Sequence, residues 1–134
     1  KMFHTPPHAS QFASRCWLNQ VELRPHAFNL ILEQSFRRLF LSTDGQTESD
    51  YFAHCQVLDS QFGQLYLALP EEITARAFEH ILQRQSVKNS FLVSGTVQSK
   101  LARIGAYPNE PLSTKVGNGW LSYFQALGRS LTRR

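Results

Sequence analysis

Two cysteines in 134 residues are too few for a disulfide framework. Cys16 and Cys55 read instead as small core side chains of a protein kept in a reducing compartment. No Cys/His spacing of a zinc site accompanies them. His4 and His8 are split by Pro6-Pro7 and so cannot share a helical face. Neither a metal nor a cofactor is therefore expected. No apolar run approaches the roughly 18 residues of a spanning helix, and nothing in the first residues has the pattern of a secretory leader. The expectation is a cytoplasmic protein without a membrane partner. Charged residues make up only 18% of the chain, which excludes the composition of a disordered one.

Catalytic signatures are also missing. There is no Gly-x-x-x-x-Gly-Lys loop, Gly-x-Gly-x-x-Gly turn, Gly-x-Ser-x-Gly elbow or His-Glu-x-x-His pair. Ser94 lies within an alternating segment and reads as a strand residue rather than a nucleophile. His54 and Cys55, read as strand neighbours, face opposite sides and cannot form a dyad. The expectation is a binding protein, not an enzyme.

What the chain does have is length for one compact domain and a heavy aromatic load of ten Phe, four Tyr and two Trp. Its net charge of +4 conceals an uneven distribution. Residues 1–85 carry seven basic and nine acidic groups, whereas 86–134 carry Lys88, Lys100, Arg103, Lys115, Arg129, Arg133 and Arg134 against Glu110 alone. Such asymmetry hints at an anionic partner for the second part, although a solvated surface would look the same. The stretch 44–59, with Asp44, Glu48, Asp50 and Asp59 and no basic residue, is the opposite pole.

Read for periodicity, residues 1–11 form a flexible arm and 12–134 a single domain. Phe12–Leu23 reads as a bulged strand ended by Pro25. Ala27–Leu41 fits either a helical stripe (Phe28, Leu32, Phe36, Leu39) or strands, and its neighbours favour strands. Thr43-Asp44-Gly45 is a turn. Tyr51–Leu58 and Gln64–Leu69 flank a five-residue loop as a hairpin. Pro70, Glu71 and Glu72 open a helix whose stripe is Ile73, Ala77 and Ile81 and which ends by Gln85. Ser90–Leu101 alternates as a half-buried strand, 105–119 is loop, and Trp120–Leu131 is a short helix.

The strand–helix–strand order over Leu65–Lys100, with the string Val93-Ser94-Gly95-Thr96-Val97, resembles the middle of bacterial single-stranded-DNA-binding proteins and the related primosomal protein. That resemblance spans about residues 14–101, and Tyr51–Leu58 is one strand more than it needs. It implies a mainly β protein with helices: an OB-fold-like five-stranded barrel, a helix between strands 3 and 4, and a C-terminal helix. The function it implies is binding of single-stranded nucleic acid, with Lys and Arg following phosphates and aromatic faces stacking bases. Aromatic residues near basic ones are the candidates, namely Trp17 beside Arg15, Tyr107 after Arg103 and Trp120 after Lys115, with Lys88 and Lys100 bracketing the last strand. Core packing is the competing reading for each aromatic, and Tyr107, in a Gly/Pro loop, is the best placed for a ligand. A homo-oligomer fits this reading. The alternative is an α+β protein-interaction module, such as a secretion chaperone or assembly adaptor, with a protein partner.

Overall fold

A computed structural model of the chain describes residues 2, 4, 12–85 and 99–132. These form six helices in the order α1 (Ala13–Leu18), α2 (Ala27–Phe40), α3 (Asp50–Phe62), α4 (Pro70–Gln83), α5 (Lys100–Arg103) and α6 (Glu110–Thr132). The expected five-stranded OB-like barrel is not there. Among the described residues there is no β-strand, and the antiparallel pairing of Leu41 with Glu48 is an isolated bridge.

The corrections have local causes. Phe12–Leu23, expected as a bulged strand, contains α1 and an irregular stretch. Ala27–Leu41 takes its helical option, because Phe36, Leu39 and Phe40 bury together on one side and the His26 ring nitrogen caps the first turn at the Phe28 amide. Tyr51–Leu58 is not a strand. Ser49 accepts from the Phe52 amide as N-cap, and Tyr51, Cys55 and Leu58 recur at helical spacing on the buried face. The expected hairpin loop at 59–63 is the last turn of that helix, closed by Gly63 in the left-handed region at φ +61°. Gln64–Leu69, the expected second hairpin strand, is irregular. The buried Asp59 carboxylate takes its amides instead, accepting from Tyr66, Leu67 and Ala68 at 3.0, 2.7 and 2.8 Å.

Helix α4 starts at Pro70 and buries Ile73, Ala77 and Ile81, as its sequence pattern predicts. The strand expected over 90–101 lies outside the described residues up to position 98, and Lys100 and Leu101 belong to α5. Much of the expected flexible arm also lies outside them. Met2 and His4 are described, and their backbones are hydrogen-bonded to Arg24 and Glu22. The turn at Thr43-Asp44-Gly45 is present, with the Asp44 carboxylate accepting from the amides of Gln46 and Thr47 and from the Ser42 hydroxyl.

Helix α6 begins ten residues before the Trp120 at which the sequence pattern starts it, inside the expected 105–119 loop. Asn109 accepts from the Leu112 amide at its start. Gly117 and Gly119, which suggest a loop in isolation, lie where α6 meets its neighbours. The Gly117 backbone lies against Ile81 of α4, and Gly119 lies against Ser35 of α2. The pair α2–α6 is the most extensive helix contact of the fold. The core formed around it contains Phe36, Leu39, Phe40, Cys55, Ile73, Val116 and Trp120.

This close approach is directly testable. Gly119→Ala gains the helix propensity of alanine, about 1 kcal/mol, but its Cβ would run into the Ser35 hydroxyl. Urea unfolding should show Gly119→Ala destabilising in the native background and stabilising by about 1 kcal/mol in a Ser35→Ala background. The same effect in both backgrounds would contradict the contact.

Candidate functional site

An open groove of about 1540 Å³ runs between the C-terminal turn of α2, the 41–49 turn, the start of α3, the 104–109 loop and the first turns of α6. Its cationic lining is Arg37, Arg38 and Lys115, all on exposed positions. Arg37 and Arg38 close α2, where positive charge complements the negative end of the helix. Arg37 pairs with Glu33 at 3.6 Å, one turn back. Arg38 reaches α6, where its guanidinium donates to the Lys115 carbonyl at 3.2 Å. That bond ties the C-terminal end of α2 to the early turns of α6 and places three cations along one channel.

Asp44 and Asp50 also line the groove. The Asp44 carboxyl is held below its ordinary pKa by the hydrogen bond from Ser42 and then by the amides of Gln46 and Thr47, so its oxygens are engaged in the turn. His54 lines the groove against the 104–109 loop, its Nε2 at 3.1 Å from the Ile104 carbonyl. Gly105, at φ +76°, leaves room for that ring, because a Cβ there would approach His54 Nε2 to 2.9 Å.

Tyr107 stands on the same wall. Its hydroxyl donates to Glu79 at 3.1 Å and its ring lies 5.9 Å from that of His80. Burial, followed by Glu79, raises its pKa, so it stays a neutral phenol. The loop that carries it is fixed at Ala106, whose carbonyl accepts from Tyr51 Oη at 2.8 Å and from Arg76 Nε at 2.9 Å. Burial raises the Tyr51 pKa well above the usual phenol range, which keeps that donor protonated.

Of the candidates from sequence, the structure brings Tyr107 and Lys115 together in this groove. Lys100 and Arg103 are exposed on α5, in the segment that leads into the Tyr107 loop. Arg15 is elsewhere, paired with Glu71 through Nε at 3.1 Å. Trp17 stacks on Phe40 with ring centroids 6.0 Å apart, and Trp120 is buried against Phe78. Lys88 lies outside the described residues. Sequence reasoning missed Arg37, Arg38 and His54. The adjacent arginines before a turn were a helix-end signal, obscured by the strand reading of Ala27–Leu41.

Among the described residues no cluster of His, Cys, Asp and Glu could hold a metal ion, and no helix is long and apolar enough to cross a membrane. A Ser–His contact does occur, His80 Nδ1 to Ser113 Oγ at 2.8 Å, but Ser113 is buried and also donates to the Pro108 carbonyl. Its geometry links α4 to the start of α6.

These features define a helical domain with a cationic groove. Residues 58–131 match the family model described as Large polyvalent protein-associated domain 1, and the chain belongs to that family. No curated protein and no solved structure matches the chain. The OB fold and the DNA binding implied by the resemblance to single-stranded-DNA-binding proteins have lost that support, since the described residues are helical and contain no strand of a barrel.

His80 makes the wall beside Tyr107 sensitive to pH. Burial, and then Arg84, lower its pKa below the ordinary value of 6.5, so the folded state favours the neutral ring. The unfolded chain takes up the proton first. Stability is therefore complete above that value and falls as pH drops below it. Denaturant titrations across that window should show a loss in the native protein that is smaller in His80→Asn; identical pH dependence would contradict the assignment.

Proposed function

We propose that this domain is a non-catalytic binding module whose groove holds a single-stranded nucleic acid by its phosphates. The observation that carries the reading is the convergence of Arg37, Arg38 and Lys115 along one open channel with Tyr107 on its wall. Three cations lining one open groove suit a polyanion that can lie along it, such as a phosphate backbone. Tyr107 supplies one aromatic face for a base. The two tryptophans take no part, because their rings pack against Phe40 and Phe78. Binding is mainly electrostatic on this account and reads little sequence.

A second reading, a protein-interaction module of the adaptor kind, draws support from exposed large apolar side chains away from the groove, among them Leu65 and Leu131. The two readings are compatible in one domain.

Fluorescence anisotropy with labelled oligo-dT and oligo-U at several salt concentrations tests the groove. Binding should weaken with salt along a log–log line whose slope reports about three phosphate contacts, and Arg37→Gln or Lys115→Gln should each reduce the slope by about 1. Tyr107→Ala should weaken binding by about 1–3 kcal/mol if a base stacks there. Absence of binding at low salt, or binding indifferent to all three variants, would refute the reading.

A further inference from the structure

Phosphate contacts give a role to Arg37, Arg38 and Lys115 but not to two other groups of the same groove, Asp50 and His54. A carboxylate in a channel for a polyanion repels the chain to be held. The other carboxylate of the lining, Asp44, is taken up by its own turn, where it accepts from Ser42, Gln46 and Thr47. Asp50 is exposed and has no hydrogen-bond or ion-pair partner among the described residues. It precedes His54 by about one turn of α3, so the two share a face of that helix.

The neighbouring loop fixes His54 in one tautomer. Its Nε2 lies 3.1 Å from the Ile104 carbonyl, which can only accept, so Nε2 carries the proton. In the neutral ring Nδ1 is then a bare acceptor. Hydroxyls and side-chain amides of the lining can donate as well as accept, whereas Asp50 and His54 Nδ1 can only accept. Such a pair calls for a donor on the ligand. On a nucleic-acid strand the amino groups of the bases vary with sequence. The ribose 2′-hydroxyl recurs in every unit, next to the phosphates that the cations hold.

We propose, resting on the nucleic-acid reading of the groove, that Asp50 and His54 accept from ribose 2′-hydroxyls and make the groove selective for RNA over DNA. The start of a helix also favours a carboxylate at position 50. That role does not distinguish one sugar from the other, so a sugar preference separates the two.

Oligo-U and oligo-dU of one length differ only in the 2′-hydroxyl. Fluorescence anisotropy at low salt should show the native chain binding oligo-U about tenfold tighter, the scale of a hydrogen bond to a charged acceptor. Asp50→Ala and His54→Phe, both at exposed positions, should each reduce that ratio at least about threefold, and the double variant should bind the two strands alike. Both affinities are read on one preparation, so partial unfolding lowers them together and leaves the ratio unmoved. Equal binding of the two strands by the native chain would overturn the sugar assignment and leave the phosphate reading standing. A preference that survives in both single variants and in the double variant would also overturn it. Binding of neither strand would refute the phosphate reading and the sugar assignment with it.

Discussion

The guanidinium of Arg76 is almost completely buried, 4% exposed, in a domain where most charges stay in water. Taking such a group out of solvent is costly, and the chain offsets that cost with backbone acceptors from two separate loops. Nε donates to the Ala106 carbonyl at 2.9 Å, and a terminal nitrogen donates to the Leu67 carbonyl. Glu72 lies 3.9 Å from the other terminal nitrogen, and Cys55 Sγ is 3.9 Å from the nitrogen that donates to Leu67. One side chain of α4 thereby fixes both the loop that carries Tyr107 and the loop that carries Leu65. Removing one member of such a buried network typically costs about 3–5 kcal/mol, a large share of the stability of a small domain.

Asp59 completes the arrangement from α3. Its carboxylate gathers three amides of a segment that has neither helix nor strand to satisfy them. The irregular stretch 64–69 is thus as closely determined as a helix, by a charged acceptor instead of a backbone ladder. The opposite signs of Asp59 and Arg76 suit the same short segment, an acceptor for the amides of residues 66–68 and a donor for the Leu67 carbonyl.

How much of this was legible in the sequence depended on whether the signal was local. Pro70 with Glu71 and Glu72 marks a helix start by chemistry that needs no tertiary partner, and α4 lies where that pattern puts it. The Trp120–Leu131 stripe was likewise readable, but the preceding ten residues of α6 were not. Pro111, Gly117 and Gly119 discourage a helix in isolation, and only the approach of Ile81 and Ser35 explains why glycine is useful there. Tyr51, Cys55 and Leu58 already have helical spacing, yet β-prone neighbours and Gly63 suggested a hairpin. Asp59, read as a loop residue, is a buried acceptor whose partners lie seven to nine positions away. For the groove, Tyr107 and Lys115 were visible as an aromatic and a cation in a loop-like region. Arg37, Arg38 and His54 join them only because α2, α3 and α6 pack as helices.

The resulting picture is a domain in which a buried guanidinium fixes one wall of a groove that three cations from two helices also line. If that groove is the binding site, a short oligonucleotide must perturb its walls and not the rest of the molecule. Heteronuclear NMR titration with oligo-dT measures this most directly. The account predicts saturable shift changes at Arg37, Arg38, Tyr107 and Lys115, including the arginine side-chain resonances, with α1 and Arg15 unaffected. Changes confined to α1 or to the end of α6, or no change at low ionic strength, would contradict it.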